Sequence, residues 1–137
     1  MQLGTIHPRI KSILIVDDEE DIRESLGAVL EAHIDNVTIY LAGTGTEGLA
    51  TLKEHPVDLI LSDYKMPGMD GLEFLTKAGE ACPGAPRILI TAYPELNVAM
   101  RAINEASISN FLTKPVSAET LIETINAAMV KSRAVRQ

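Results

Sequence analysis

The sequence predicts an α/β protein: a doubly wound five-stranded parallel sheet with five helices, arranged as a three-layer sandwich. Three observations carry this expectation. Five short apolar runs recur along the chain, segments of helical period separate them, and the length and composition suit one ordinary domain. The runs are Ile13–Val16, Val37–Ala42, Leu59–Ser62, Arg87–Ile90 and Asn110–Thr113. Four read as continuous apolar stretches, the pattern of strands covered on both faces of a parallel sheet. The second alternates, with Val37, Ile39 and Leu41 against Thr38 and Tyr40, which suits a strand nearer the sheet edge. Right-handed crossovers between such strands put helices on both faces.

Each connecting segment has its own signals. After the first run, Ile22, Leu26, Val29 and Leu30 form one apolar stripe, with Glu20 and Asp21 as first-turn acids favoured by the helix dipole and Glu19 solvated. Gly43–Gly48 reads as a flexible turn into the second helix. Asp70 with Glu73 is a capping signal for the third, and Met66 and Met69 beside Pro67 and Gly68 read as loop packing and turn residues. Tyr93 is biased away from helix by Pro94, so the fourth helix begins after it. Ser117 is the expected N-cap of the fifth, whose stripe is Leu121, Ile122, Ile125, Ala128 and Met129.

Composition excludes several classes. The chain has 137 residues, 46% apolar and 23% charged, which is one domain and not a disordered one. A single Cys82 cannot form an internal disulfide. The formal net charge of −7 repels nucleic acid and anionic lipid, so neither is an expected partner. No apolar run approaches the ~20 residues of a membrane span, and Met1–Lys11 lacks the apolar core of a signal peptide. A cytoplasmic address is expected.

In open α/β sheets ligands bind outside the carboxyl ends of the strands. There the first run ends in Asp17-Asp18, the third in Asp63, the fourth in Thr91 and the fifth in Lys114-Pro115. Three neighbouring carboxylates raise one another's pKa, and a hard divalent cation such as Mg²⁺ relieves the repulsion. Lys114 and Thr91 add a point charge and a donor for an anion beside it. These are the parts for in-line phosphoryl transfer to a carboxylate. A competing signal is Gly43-Thr-Gly-Thr-Glu-Gly48, a G-x-G-x-x-G between strand and helix with Asp63 twenty residues after Gly43. That dinucleotide reading leaves Asp17, Asp18, Thr91 and Lys114 unexplained, and it begins at the second strand of a chain with no room for a catalytic domain. His7, His33 and His55 have no ligand spacing for zinc, and no G-x-S-x-G or Cys–His pairing suggests a hydrolase.

From about Ile10 to Lys131 the chain resembles the receiver domain of bacterial two-component response regulators. The resemblance rests on Ile13-Leu-Ile-Val-Asp-Asp18, Leu59-Ile-Leu-Ser-Asp63-Tyr-Lys-Met-Pro-Gly-Met-Asp-Gly71, Ile88-Leu-Ile-Thr91-Ala92 and Phe111-Leu-Thr-Lys114-Pro115. It implies a flavodoxin-like sheet of order 2-1-3-4-5. It implies Asp63 as phospho-acceptor, and Mg²⁺ (or Mn²⁺) on Asp18, Asp63 and the backbone carbonyl of Lys65, with Asp17 acting through water. Thr91 and Ala92 would meet the phosphoryl oxygens, Lys114 would pair with one of them, and the Lys114–Pro115 bond would be cis. Phe111 stands at the switch aromatic in place of the more usual Tyr, so no hydroxyl reports the switch. Lys65 and Tyr93 would flank attacking water and set the phosphoryl lifetime.

The implied partners are a sensor histidine kinase or phosphotransfer protein, and an output domain or downstream protein reading the fourth helix, fifth strand and fifth helix. The rival class, a haloacid-dehalogenase-like phosphatase, usually needs a second Asp two residues after the nucleophile. Here that residue is Lys65, and no cap domain is available. The expected role is a phospho-acceptor module that catalyses its own phosphorylation and dephosphorylation, not an enzyme with an outside substrate. Boundaries are expected at 1–9 for an N-terminal arm, 10–131 for the receiver and 132–137 for a tail or the start of a linker helix. Leu121, Ile125, Ala128, Ser132 and Val135 keep a 4-3-4-3 spacing, which suggests a fragment of a multidomain protein and a homodimer paired through the last helix. Ala102-Ile-Asn-Glu-Ala-Ser-Ile-Ser-Asn-Phe111 is slightly similar to receivers joined to HD-type cyclic-dinucleotide phosphodiesterases.

Overall fold

The computed structural model describes residues 10–92 and 95–136. The expected N-terminal arm lies outside them. Strands and helices alternate strictly: β1 (Ser12–Val16), α1 (Glu20–His33), β2 (Thr38–Ala42), α2 (Gly45–Glu54), β3 (Leu59–Asp63), α3 (Gly71–Ala81), β4 (Arg87–Thr91), α4 (Leu96–Glu105), β5 (Asn110–Thr113) and α5 (Ala118–Arg136). All strand pairs are parallel and the sheet order is β2-β1-β3-β4-β5.

The strands look uniformly apolar because both faces are covered, yet their alternation still assigns each side chain to a layer. Ile13, Ile15, Leu59, Leu61, Ile88, Ile90 and Leu112 pack with Leu26 and Leu30 of α1 and Leu121, Ile122 and Ile125 of α5. Leu14, Val16, Ile60 and Leu89 pack on the other side with Phe74 and Leu75 of α3 and Val98 and Ala102 of α4. β2 is an edge, as its alternation suggests. β5, which reads as a doubly covered strand, is the other edge: of its four residues Leu112 alone is buried, because β4 is its one strand neighbour.

Helix starts follow the expected caps. Asp70 Oδ1 accepts from the Glu73 amide at 2.9 Å, and Ser117 Oγ from the Thr120 amide at 3.1 Å. The Gly43–Gly48 segment is more ordered than a flexible turn. Thr44 Oγ1 accepts from the Glu47 amide (3.1 Å), and Glu47 Oε2 accepts from the Gly43 amide (3.1 Å), a reciprocal box that starts α2. Its glycines serve packing. A Cβ on Gly48 would lie 2.8 Å from Phe74 and 2.9 Å from Val16, so α2 reaches the sheet and α3 through a bare backbone.

α5 continues to Arg136, in keeping with a helix that has no early stop. Its proposed pairing seam needs correction. Leu121, Ile125 and Ala128 are 1%, 0% and 0% exposed because the sheet has already claimed that face. The outward face there carries Glu123, Ala127 and Val130. The side chains of Ser132 and Val135 lie outside the described ones.

Because Gly48 touches Phe74 and Val16, Gly48→Ala should overpack this layer and cost about 1–3 kcal/mol. Urea denaturation checks this; an unchanged midpoint would mean that α2 sits further out.

Candidate functional site

Strand register builds the site. β1 and β3 pair with Val16 opposite Ser62, so the next residues, Asp17 and Asp63, stand level on adjacent strands about one strand spacing, ~4.8 Å, apart. Asp17 is 2% exposed and Asp63 7%, while Asp18 is exposed. One carboxylate oxygen from each of the three lies within 4.8 Å of the others, and among the described residues no other group of acids, His or Cys clusters in this way.

The groups that hold these carboxylates come from three segments of the chain. Lys114, following β5, reaches across the end of β4 to Asp17 Oδ2 at 3.1 Å and Asp63 Oδ1 at 3.2 Å. The Glu19 amide donates to Asp17 Oδ1 at 2.9 Å, and the Tyr64 amide to Asp63 Oδ1 at 2.9 Å. Among the described residues Asp63 Oδ2 accepts no hydrogen bond, so one oxygen of the pair is committed and the other is open. Arg23 Nη1 donates to the Asp17 carbonyl at 2.7 Å and fixes the β1–α1 turn. Sequence reasoning missed Arg23. A cation in the first turns of a helix works against the dipole, and that misfit is the signal that could have found it.

On the other side of the site α3 begins almost on top of the acid. The Gly71 amide donates to the Tyr64 carbonyl at 2.7 Å, and a Cβ on Gly71 would collide with the Asp63 carbonyl. This explains the Gly of the Met-Asp-Gly71 motif: any side chain there would push Asp63 off its level.

The electrostatics follow from the burial of Asp17 and Asp63 and from Lys114, which pairs with both. Burial raises the pKa of Asp63, the charge of Asp17 raises it further, and the Lys114 charge and hydrogen bond pull against both without winning. Burial opposes the charge on Lys114, but the hydrogen bond and charge of Asp17, then those of Asp63, hold its pKa above the usual value.

The structure brings Asp17, Asp18, Asp63 and Lys114 together. Thr91, fully buried, ends β4 one residue beyond Ile90, the partner of Asp63 in register. Ala92 follows it and is exposed, and the Lys114–Pro115 bond is cis. Lys65 is exposed on the β3–α3 loop. Phe111 is half-buried and packs against the cluster between the sheet and α2–α4. Tyr93 lies outside the described residues. The dinucleotide reading has no support here, since Gly45 and Gly48 are buried under neighbouring side chains and Asp63 faces Lys114.

The family model for the response regulator receiver domain matches residues 13–126. The chain belongs to this family. It is 32% identical over 126 residues to the C4-dicarboxylate transport transcriptional regulatory protein DctD of Rhizobium meliloti, a match covering 92% of this chain and 27% of that one. It is 36% identical over 107 residues to the cyclic di-GMP phosphodiesterase response regulator RpfG of Xanthomonas campestris, covering 77% and 28%. Among solved structures, the signal receiver domain of an HD domain-containing protein from Pseudomonas fluorescens superposes with a TM-score of 0.84 at 32% identity, covering 92% of this chain and 99% of that one. The chain thus spans about a quarter of the length of these curated relatives. As a receiver domain it is a phospho-accepting signalling module and not a conventional enzyme. Among the described residues no helix is long and apolar enough to cross a membrane.

A pH dependence follows. A carboxyl whose folded pKa is raised gives up stability as pH rises through the window from its unfolded to its folded value, because the folded state binds the extra proton there. Without metal, Asp63→Asn should therefore unfold at a higher urea concentration than the parent at pH 7. The advantage should shrink as pH falls to the ordinary carboxylate range. A parent more stable than the variant at pH 7 would show that Lys114 outweighs burial and Asp17.

Proposed function

We propose that Asp63 is the phospho-acceptor of this receiver domain. The observation that carries the reading is the division of labour between its two oxygens. Oδ1 is held by the Tyr64 amide and Lys114, which leaves Oδ2 free to attack. In the transfer, Oδ2 attacks the phosphorus of a phosphohistidine, the P–O bond forms as the P–N bond breaks, and the imidazole leaves to be protonated by solvent. Lys114, already paired with Asp63, is placed to neutralise a phosphoryl oxygen, and Thr91 at the end of β4 to donate to another, with Ala92 beside it.

The all-oxygen donor set of Asp17, Asp18 and Asp63 fits Mg²⁺ or Mn²⁺, and the exposure of Asp18 leaves room for the waters such an ion keeps. Asp18 and Asp63, with the Lys65 carbonyl, would hold it and Asp17 would act through water. When bound, the ion supplies positive charge against the phosphoryl oxygens and the three acids. Lys65, two residues after the acceptor and exposed, together with Tyr93, sets how easily water attacks the acyl phosphate, and dephosphorylation is the module's own reaction. Phe111, half-buried beside the α4 layer, is the aromatic that responds to the phosphorylated state.

The donor is a sensor histidine kinase or phosphotransfer protein, which places the exchange in the cytoplasm where ATP supplies the phosphohistidine. We take residues 10–131 as the receiver unit and residues 132–137 as a tail or the start of a linker helix. For the output we favour an HD-type cyclic-dinucleotide phosphodiesterase, on the likeness to RpfG and to the Pseudomonas fluorescens receiver. The competing output is a transcriptional regulator of the DctD type. Cyclic di-GMP hydrolysis by the full-length protein would support the first, and its absence alongside specific promoter binding would support the second.

Incubation with a small phosphodonor and Mg²⁺ should add the mass of one phosphoryl group, none without the metal and none in Asp63→Asn. Loss of that mass should be faster in Lys65→Ala, where the obstructing side chain is gone. Equal labelling of Asp63→Asn would sink the acceptor assignment, and equal decay in Lys65→Ala would remove the role of Lys65.

A further inference from the structure

We propose that Arg87 is the pivot of α4: it pins the C-terminal end of the helix, so that events at Asp63 displace the end nearest Thr91. The inference rests on the phospho-acceptor reading. Arg87 is the first residue of β4 and Thr91 the last, so the two stand about 13 Å apart at opposite rims of the sheet. The chain leaves β4 at Thr91, builds α4, and returns its far end to Arg87.

That return is held by a cation. Arg87 Nε donates to the Ala106 carbonyl at 3.2 Å and Nη2 to the Ser107 carbonyl at 3.1 Å, at the end of α4 where the helix dipole is negative. The same residue's amide donates to Ser109 Oγ at 3.2 Å, and its carbonyl accepts from the Ser109 amide at 2.7 Å, so β4 and the α4–β5 turn are joined through both main chain and side chain. The guanidinium lies against Gly79 of α3, where a Cβ would come within 2.9 Å of Cζ. Thr76 Oγ1 of the same helix, which donates to the Leu72 carbonyl at 2.8 Å, also lies 3.4 Å from the Glu105 carbonyl. Ser107 turns with φ 49°, a conformation favouring glycine, which lets the Ile108 amide return to the Ala102 carbonyl at 3.3 Å.

The charge has no acidic partner: among the described residues Arg87 forms no ion pair, and its Nη1 is buried without a hydrogen-bond partner. A half-buried cation kept against a helix end, instead of beside a carboxylate, is suited to holding that end. The opposite end of α4 lacks a side-chain cap: its N-cap is Glu95, and the Val98 and Ala99 amides both fall back on the one Glu95 carbonyl at 3.1 Å. An anchored end and an uncapped end make a lever.

The test follows amide exchange and ¹⁵N shifts of the whole chain with and without a small phosphodonor and Mg²⁺. In the parent, phosphodonor should shift Val98 and Ala99 and leave Glu105–Ile108 unmoved. In Arg87→Met, which keeps an apolar stem, exchange at Glu105–Ile108 should rise at least tenfold while strand amides such as Leu14 and Ile60 keep their protection. Phosphodonor should then perturb both ends of α4. Arg87→Lys, with a single ammonium, should recover part of the protection, and it decides the matter if the Met variant loses its strands too. Equal shifts at both ends of α4 in the parent, or unchanged exchange in Arg87→Met, would overturn the proposal. An absence of label by intact mass would sink the acceptor reading separately, while the exchange comparison still decides whether Arg87 holds the helix end.

Discussion

The structure depends on one juxtaposition: Asp17 and Asp63, both buried, level on neighbouring parallel strands. Parallel pairing puts the carboxyl ends of all strands on one rim, so two strands ending in acid at the same register must place those acids side by side. With Asp18 the rim carries three negative groups, two of them paired with Lys114, while Arg23 bonds the Asp17 carbonyl. This imbalance is what makes the rim receptive to further positive charge. Burial first, and then the charge of Asp17, hold the Asp63 carboxyl above its ordinary pKa, while Lys114 stays above its own because its bonds and charges with Asp17 and Asp63 outweigh its burial.

Holding a repulsive pair in register requires stiffness around it, and the neighbouring elements provide it through close backbone approach. Gly71 lets α3 start against the Asp63 carbonyl, and Gly48 lets α2 lie on Val16 and Phe74 behind it. Arg23 and the Glu19 amide fix Asp17 from the α1 side. The side chains of the site are therefore braced largely by main-chain groups and helix starts. On the β4–β5 side, Phe111 packs into the apolar layer that holds Val98, Ala102 and Ala106, while Lys114 is tied to Asp17 and Asp63.

Much of this was legible because the responsible signals are local. Binary period separates strands from helices, and strand ends mark one rim of the sheet, so the grouping of Asp17, Asp18, Asp63 and Lys114 there is legible in the sequence. The failures share a cause. The short run Asn110–Thr113 is apolar enough to pass for an inner strand, and its edge position depends on which strand lacks a second neighbour. The spacing Leu121–Ile125–Ala128 fits a dimer seam and a domain core equally well, since both want one apolar stripe, and burial alone distinguishes them. The G-x-G-x-x-G match was weighed against nucleotide binding without the close contact of α2 with α3 that its glycines permit. Arg87 carried no motif at all, because its partners are backbone carbonyls twenty residues away.

β4 links the two ends of the molecule. Its last residue, Thr91, belongs to the acidic rim, and its first, Arg87, grips the end of α4 at the opposite rim. A five-residue strand buried between β3 and β5 transmits little bending, so a displacement at Thr91 has to appear in what is attached there rather than along the strand. The segment attached there leads into α4, whose inner face is fixed by Val98, Ala102 and Ala106 and whose outer face leaves Met100 and Ile103 exposed. On the pivot proposed for Arg87, small motions of the N-terminal end would turn the helix about a fixed point and change how Met100 and Ile103 are presented. On that proposal, a local change of charge at Asp63 would become a change of apolar surface without requiring the sheet to deform.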